Sequence, residues 1–231
     1  MLVGFLVEGW DYLILQAYLA RLLDRSEGDF EPDAVGGAGS NWQFVLESVP
    51  DALRRFYGRC AQFVVIGVDN DGSENARAAK PQDDGHPRHW LHPAPAAEVA
   101  AICRWCRLAE LVAAIRPDLT WLPKKPGANW PVLIAVPVEA IEAWLLVTQA
   151  IVDPGHGSLY AENEDRRHFK QRLYGRPAAT RRDVEEIALP MIRGMSTGDL
   201  IQLSNTSQSF RLFSDQVTAY RAQIIGKTDC W

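Results

Sequence analysis

"FVVIGVDNDG", residues Phe63 to Gly72, carries six largely apolar residues straight into two aspartates separated by one asparagine. A continuous run rich in Val and Ile reads as a strand covered on both faces, as in a parallel sheet with helices on each side. The two acids then sit at its carboxyl end, the edge at which open α/β sheets bind their ligands. Residues two apart on an extended segment face the same way, so Asp69 and Asp71 suit one shared cation. The plainer reading is a helix cap or a turn, with Gly72 supplying the turn conformation. A calcium loop does not fit, because the twelfth position of "DNDGSENARAAK" is Lys80 where that loop needs a glutamate.

The same grammar recurs on both sides of this stretch. "MLVGFLVEGW" gives a strand from Leu2 to Val7 that ends in Glu8 and Gly9, and "DYLILQAYLARLLDR" follows with a helical period and Asp11 where a first-turn acid favours the helix dipole. Ser26 to Asn41 reads as loop with a short strand around Ala34 and Val35. "QFVLESVPDALRRFYGRC" is helical, with Pro50 expected to start or kink a turn after Val49. The central strand spans Gln62 to Val68. A polar stretch after Gly72 reads as a surface insertion, followed by a helix from about Ala96 to Ile115. "WPVLIAVPVEAIEAWLL" then supplies a strand, Val132 to Val136, that turns at Pro137 into a helix carrying Glu139 and Glu142 on one face of its first turns. The order β-α-(β)-α-β predicts a parallel sheet, with the remaining chain mainly helical.

Three strand ends thus offer acids to one edge: Glu8, then Asp69 with Asp71, then Glu139 with Glu142. Like charges gathered in this way raise one another's pKa, and a divalent cation would relieve the repulsion. Oxygen-only ligands favour Mg²⁺ or Mn²⁺. An ion so held serves phosphodiester chemistry by orienting water and stabilising charge on oxygen.

At 231 residues the chain can bury a full core, and its formal charge of -5 with pI near 5.6 gives no global basic signature. Local clusters must therefore hold any nucleic acid. The apolar start is too short for a signal peptide and no apolar run reaches about 18 residues, so a cytoplasmic chain without membrane spans is expected. Cys60, Cys103, Cys106 and Cys230 are unevenly spaced and expected to be reduced. His86, His89 and His92 precede Cys103 and Cys106, a spacing open to Zn²⁺, but the helical period around the cysteines favours buried thiols acting as small hydrophobes.

"FLVEG", "VVIGVDNDG" and "AVPVEAIEAWLL" together resemble the glutamate strand, the Asp-x-Asp motif and the Pro-x-x-x-x-Glu-Ala-Trp segment of TOPRIM-domain proteins. The likeness is to small TOPRIM-like proteins of bacterial phage-defence and mobile-element loci, related to the nuclease domain of the OLD family. It covers roughly residues 1 to 150. It implies a compact α/β domain with about four parallel strands and Mg²⁺-dependent phosphodiester cleavage, with residues 151–231 as a helical C-terminal extension packed on that domain. Glu8 matches the family's glutamate, Asp69 and Asp71 its aspartate pair, and Glu142 the glutamate before Ala-Trp; Asp11 stands where relatives often carry a further acid. Lys170 resembles the lysine that OLD-type nucleases place after their acidic motifs.

Phosphoryl transfer also needs positive charge near the non-bridging oxygens. "RRHFKQRLYGRP" (Arg166 to Pro177) concentrates Arg166, Arg167, Lys170 and Arg172, with His168, Phe169 and Tyr174 interleaved for base stacking, and with Arg181 and Arg182 beyond it the segment from about Asp165 to Arg182 is expected to form a basic, partly helical surface facing the acidic edge. Near the carboxyl terminus, "SNTSQSFRLF" reads as a helix N-cap with Phe210 and Phe213 entering the core. The leading expectation is a metal-dependent nuclease acting on DNA or RNA, an effector of bacterial defence beside a partner ATPase, as the resemblance implies. A non-catalytic metal-binding regulatory or assembly module is the alternative, and a nucleotidyl- or phosphoryl-transfer enzyme ranks last. Oligomerisation, the choice between DNA and RNA, and the number of ions stay open.

Overall fold

A computed structural model of the chain describes residues 1–37, 40–69, 103–116, 130–138, 140–164 and 168–225. Among them four strands, β1 Leu2–Val7, β2 Glu31–Val35, β3 Phe63–Gly67 and β4 Val132–Ala135, form one all-parallel sheet in the order β2-β1-β3-β4. The helices are α1 Asp11–Leu23, α2 Trp42–Gly58, α3 Arg104–Ile115, α4 Ile141–Val152, α5 Phe169–Tyr174 and α6 Arg181–Asp183. A π-turn, Val184–Ala188, joins α6 to α7 Leu189–Gly194, and α8 Thr197–Thr206 and α9 Gln208–Ile225 complete the chain. This is an α/β protein with a helical carboxyl-terminal part, as the apolar runs require.

Alternation along each strand builds two cores. Val3, Phe5 and Val7, Phe63 and Val65, and Leu133 and Ala135 face α1, α4 and the carboxyl-terminal helices. Leu6, Val64, Ile66, Val132 and Ile134 face α2 and α3 on the other side. The chain leaves β1 for β2 through α1 on one face, and returns from β2 to β3 through α2 on the opposite face, as right-handed crossovers demand. Strand order therefore reverses between β1 and β3, and the crevice at their carboxyl ends is the position where such sheets place ligands. A Cβ on Gly67 would lie 2.8 Å from Leu15 of α1 and 3.2 Å from Val7, so glycine there lets α1 pack directly over the β1–β3 seam.

Pro50 does not break its helix: α2 runs unbroken through it. An interior proline costs about 3 kcal/mol locally, but Val45, Leu46, Val49, Ala52, Leu53 and Phe56 bury one whole face against the sheet, and that burial outweighs it. The helix expected from about Ala96 to Ile115 starts at Arg104, later than expected, since Cys103 is an extended N-cap residue; residues 96–102 lie outside the described ones. β4 stops at Ala135, one residue short of the expected Val136, ahead of Pro137, which has no N–H to give a ladder.

The carboxyl-terminal helices are held by polar ties as well as by apolar packing. The Gln216 side chain of α9 accepts from the Ile134 N–H and donates to the Ile134 carbonyl, both at 2.9 Å, imitating a fifth strand along β4. At the start of α9, buried Glu162 accepts from the hydroxyls of Ser207 and Ser209 and from the backbone N–H groups of Gln208 and Ser209. Ser209 Oγ also accepts from Trp144 Nε1 at 2.6 Å and from the Val138 N–H at 3.3 Å. The expected cap at "SNTSQSF" is thus a buried network, and Phe210 and Phe213 enter the core beside Trp144 as anticipated. Ser209→Ala should lower stability by roughly 2–4 kcal/mol, because three buried bonds lose a partner at once. Urea unfolding of the variant beside the unaltered protein measures this, and equal midpoints would remove the network from the account.

Candidate functional site at the carboxyl edge

Glu8 is the first residue past β1, and Asp69 lies two past β3; the strands are in register with Val7 opposite Gly67. Gly9 takes a positive φ of 55°, which turns the chain sharply from β1 into α1, and its N–H donates to Ser40 Oγ at 3.2 Å. That turn sets Asp11 in the first turn of α1, close to the strand end.

Asp69 is fixed at two atoms. Its Oδ1 accepts from the Ile141 N–H at 3.0 Å, at the start of α4, where the helix dipole favours an anion. Its backbone carbonyl accepts from Arg104 Nη1. Glu142, the second residue of α4, is buried and lies 3.6 Å from Lys170 Nζ of α5. Asp11 completes the group: its carboxyl group is enclosed although part of the residue stays accessible, and its pKa is raised well above 3.8, chiefly by that desolvation and then by the charges of Asp69, Glu142 and Glu8, with Lys170 opposing. Burial likewise raises Glu142, against the stabilising charge and hydrogen bond of Lys170. Four acids of the expected edge therefore feel one another.

The other expected residues fall differently. Asp71, Glu139, Arg166 and Arg167 lie outside the described residues, as do His86, His89 and His92. Arg172 does not face the acidic edge: it pairs with Glu164 and donates to the Gly157 carbonyl at 3.2 Å, tying down the loop before α5. Arg176 pairs with Asp183, Arg181 with Glu185 and Arg182 with Glu186, so Lys170 is the one cation of the tail that the described residues place at the acids. Phe169 and Tyr174, expected to stack on bases, are core residues 1% and 5% exposed. The Tyr174 hydroxyl is buried without a hydrogen-bond partner among the described residues, and burial together with Glu142 and Asp11 raises its pKa, so it stays protonated.

Arg104 was not anticipated. It is 5% exposed, its guanidinium carbon lies 5.1 Å from the centre of the Trp42 ring, and the charges of Glu8 and Asp69 support its ionised form against burial. The only sequence signal was an arginine set within the apolar period of "CRWCRLAEL". Its neighbours Cys103 and Cys106 are reduced thiols, the first buried, and burial followed by the Cys103 hydrogen bond pushes the Cys106 thiol up to about 12. Cys60 is disulfide-bonded, correcting the expectation of four reduced thiols.

The donor chemistry fits a hard divalent ion, since every acid here offers oxygen. Among the described residues no three His, Cys, Asp or Glu side chains by themselves form a metal-holding group. Fold and site together define an open parallel α/β protein with an acidic carboxyl edge flanked by buried or half-buried cations. Comparison with protein-family models, with curated proteins and with solved structures gives no match. No helix among the described residues is long and apolar enough to cross a membrane.

Because the fold raises the Asp11 pKa, the folded chain holds a proton that the unfolded chain releases above about pH 4. The stability associated with that proton is complete below this value and is lost as pH rises through the folded pKa. Asp11→Asn should therefore raise the urea midpoint at pH 7 in the presence of EDTA, and the gain should vanish toward pH 4. An equal gain at both pH values would separate the effect from titration.

Proposed function

We propose that the chain is a divalent-metal-dependent nuclease of the TOPRIM kind, hydrolysing phosphodiester bonds of DNA or RNA. The observation that carries this reading is the convergence of Glu8, Asp11, Asp69 and Glu142 at the switch point of the sheet. Asp69 and Asp71, helped by Glu142 or Glu139, would hold Mg²⁺ or Mn²⁺, which when bound supplies charge neutralisation at the phosphate and an activated water.

The chain's own groups account for the rest. Glu8, standing alone at the end of β1, takes the proton of the attacking water as general base. Lys170, 3.6 Å from Glu142 and 43% exposed at its side chain, would meet a non-bridging oxygen. Asp69 keeps its orientation through the Ile141 N–H, so no reorganisation is needed when substrate arrives. A defence role beside a partner ATPase rests on the resemblance of the three motifs alone. One observation favours the second reading, a regulatory ion site: Lys170 already neutralises Glu142, which leaves fewer acids for catalysis.

Cleavage of plasmid, single-stranded DNA and tRNA with Mg²⁺ or Mn²⁺ tests the proposal. Asp69→Asn should cost at least about a hundredfold, as loss of a preorganised electrostatic group does, while the amide oxygen still accepts from Ile141 and preserves the fold. Glu8→Gln should retain ion binding and lose turnover. Wild-type rates from Asp69→Asn in a nuclease-free preparation would leave the regulatory reading in its place.

A further inference from the structure

Arg104 and Arg107 stand three apart on the first turns of α3, and both guanidinium groups lie over one ring, that of Trp42, at 5.1 and 5.5 Å from its centre. Trp42 opens α2, so both helix N-termini and both arginines gather at the carboxyl edge of the sheet, on the face opposite Lys170. Two like charges on a single aromatic ring repel each other. Arg104 is offset by Glu8 and Asp69, but among the described residues no carboxylate pairs with half-buried Arg107. An acidic edge also repels any polyanion, which must therefore be met by cations at the rim. Both conditions are satisfied by an anion lying against the stack.

We propose that Arg104, Arg107 and Trp42 form a subsite for a backbone phosphate of a nucleic-acid strand that enters the acidic edge from the α2 and α3 face. The inference rests on the nuclease reading for its ligand class and adds where that ligand is gripped. Arg107 is the outer contact, its planar fork matching two phosphate oxygens. Buried Arg104 is a positioning residue, holding the Asp69 carbonyl and fixing the Trp42 ring on which Arg107 rests. With Lys170 on the far side, a strand crossing the edge passes between cations while its scissile phosphate lies over the acids.

The test is fluorescence anisotropy with labelled single-stranded oligothymidine and oligouridine of roughly twelve nucleotides, a length within one ordinary binding site, in EDTA so that no cleavage intervenes. Arg107→Gln should weaken binding roughly tenfold at low salt and reduce the slope of log affinity against log salt by about one, the signature of one lost phosphate contact. Arg107→Lys should restore the slope and only part of the affinity. Arg107 is half-buried at the surface, so these variants fold even if changes at Arg104 do not. If neither oligonucleotide binds the unaltered protein, or if Arg107→Gln leaves affinity and slope unchanged, the subsite is wrong and the stack is packing between α2 and α3. If Arg107→Gln weakens binding while Asp69→Asn still cleaves, the subsite stands and the assignment of the catalytic acids falls.

Discussion

Carboxylates gathered at one edge of a sheet repel each other, and the fold holds Glu8, Asp69 and Glu142 there with a positive group beside each, while enclosed Asp11 keeps its proton to higher pH than an ordinary aspartate. Helix α4 presents its positive end to Asp69 through the Ile141 N–H. Lys170 meets Glu142 from one face of the sheet. Arg104 meets Glu8 and Asp69 from the other. Remove any of these and the acids must take up protons or move apart, since an uncompensated charge in such an enclosed position is costly.

The carboxyl-terminal helices belong to this arrangement. Lys170 reaches Glu142 because α5 is anchored by Phe169, Leu173 and Tyr174 in the core that also contains Trp144 of α4. Trp144 in turn donates to Ser209, which accepts as well from the Val138 N–H just past β4. A chain of packed aromatics and shared hydroxyls thus connects α9 to the strand end from which α4 departs. Gln216 closes the outer edge of β4 against further strands. The tail sets the geometry of the edge and contributes one cation to it.

Strands β1, β3 and β4 were legible in the sequence, because buried parallel strands are continuous apolar runs and each of these three runs ends in an acid or a proline; the edge strand β2 was legible only around Ala34 and Val35, because it opens on exposed Glu31 and Pro32. Glu8 and Asp69 were legible for the same reason: a carboxylate directly after such a run has one edge to occupy; Glu142 was legible as an acid in the first turn of the helix that follows β4. Arg104 was not, since an arginine in an amphipathic helix ordinarily points to water, and only the third dimension brings Glu8 and Asp69 close enough to hold it inside. Arg172 misled in the opposite sense. Its density of basic neighbours suggested a phosphate-binding surface, yet Glu164 lies eight residues away in sequence and claims it locally. Phe169 and Tyr174 misled because aromatic residues among charges read equally well as a stacking surface or as the buried face of a short helix. Pro50 shows local propensity yielding to burial.

The charges of the edge also limit what it can bind. Among the described residues, with every group ionised, the four carboxylates face two side-chain cations, Lys170 and Arg104, leaving an excess of two negative charges. The free protein relieves part of that excess by keeping Asp11 protonated to higher pH than an ordinary aspartate. In the nuclease reading a divalent ion held by these acids would offset that excess, and Asp11 would then titrate closer to an ordinary aspartate. Lys170, 43% exposed at its side chain, would then be held less strongly by Glu142 and could meet a phosphate. A monovalent ion would offset only half of that excess, so in the same reading the balance of charge would favour a divalent ion at this edge.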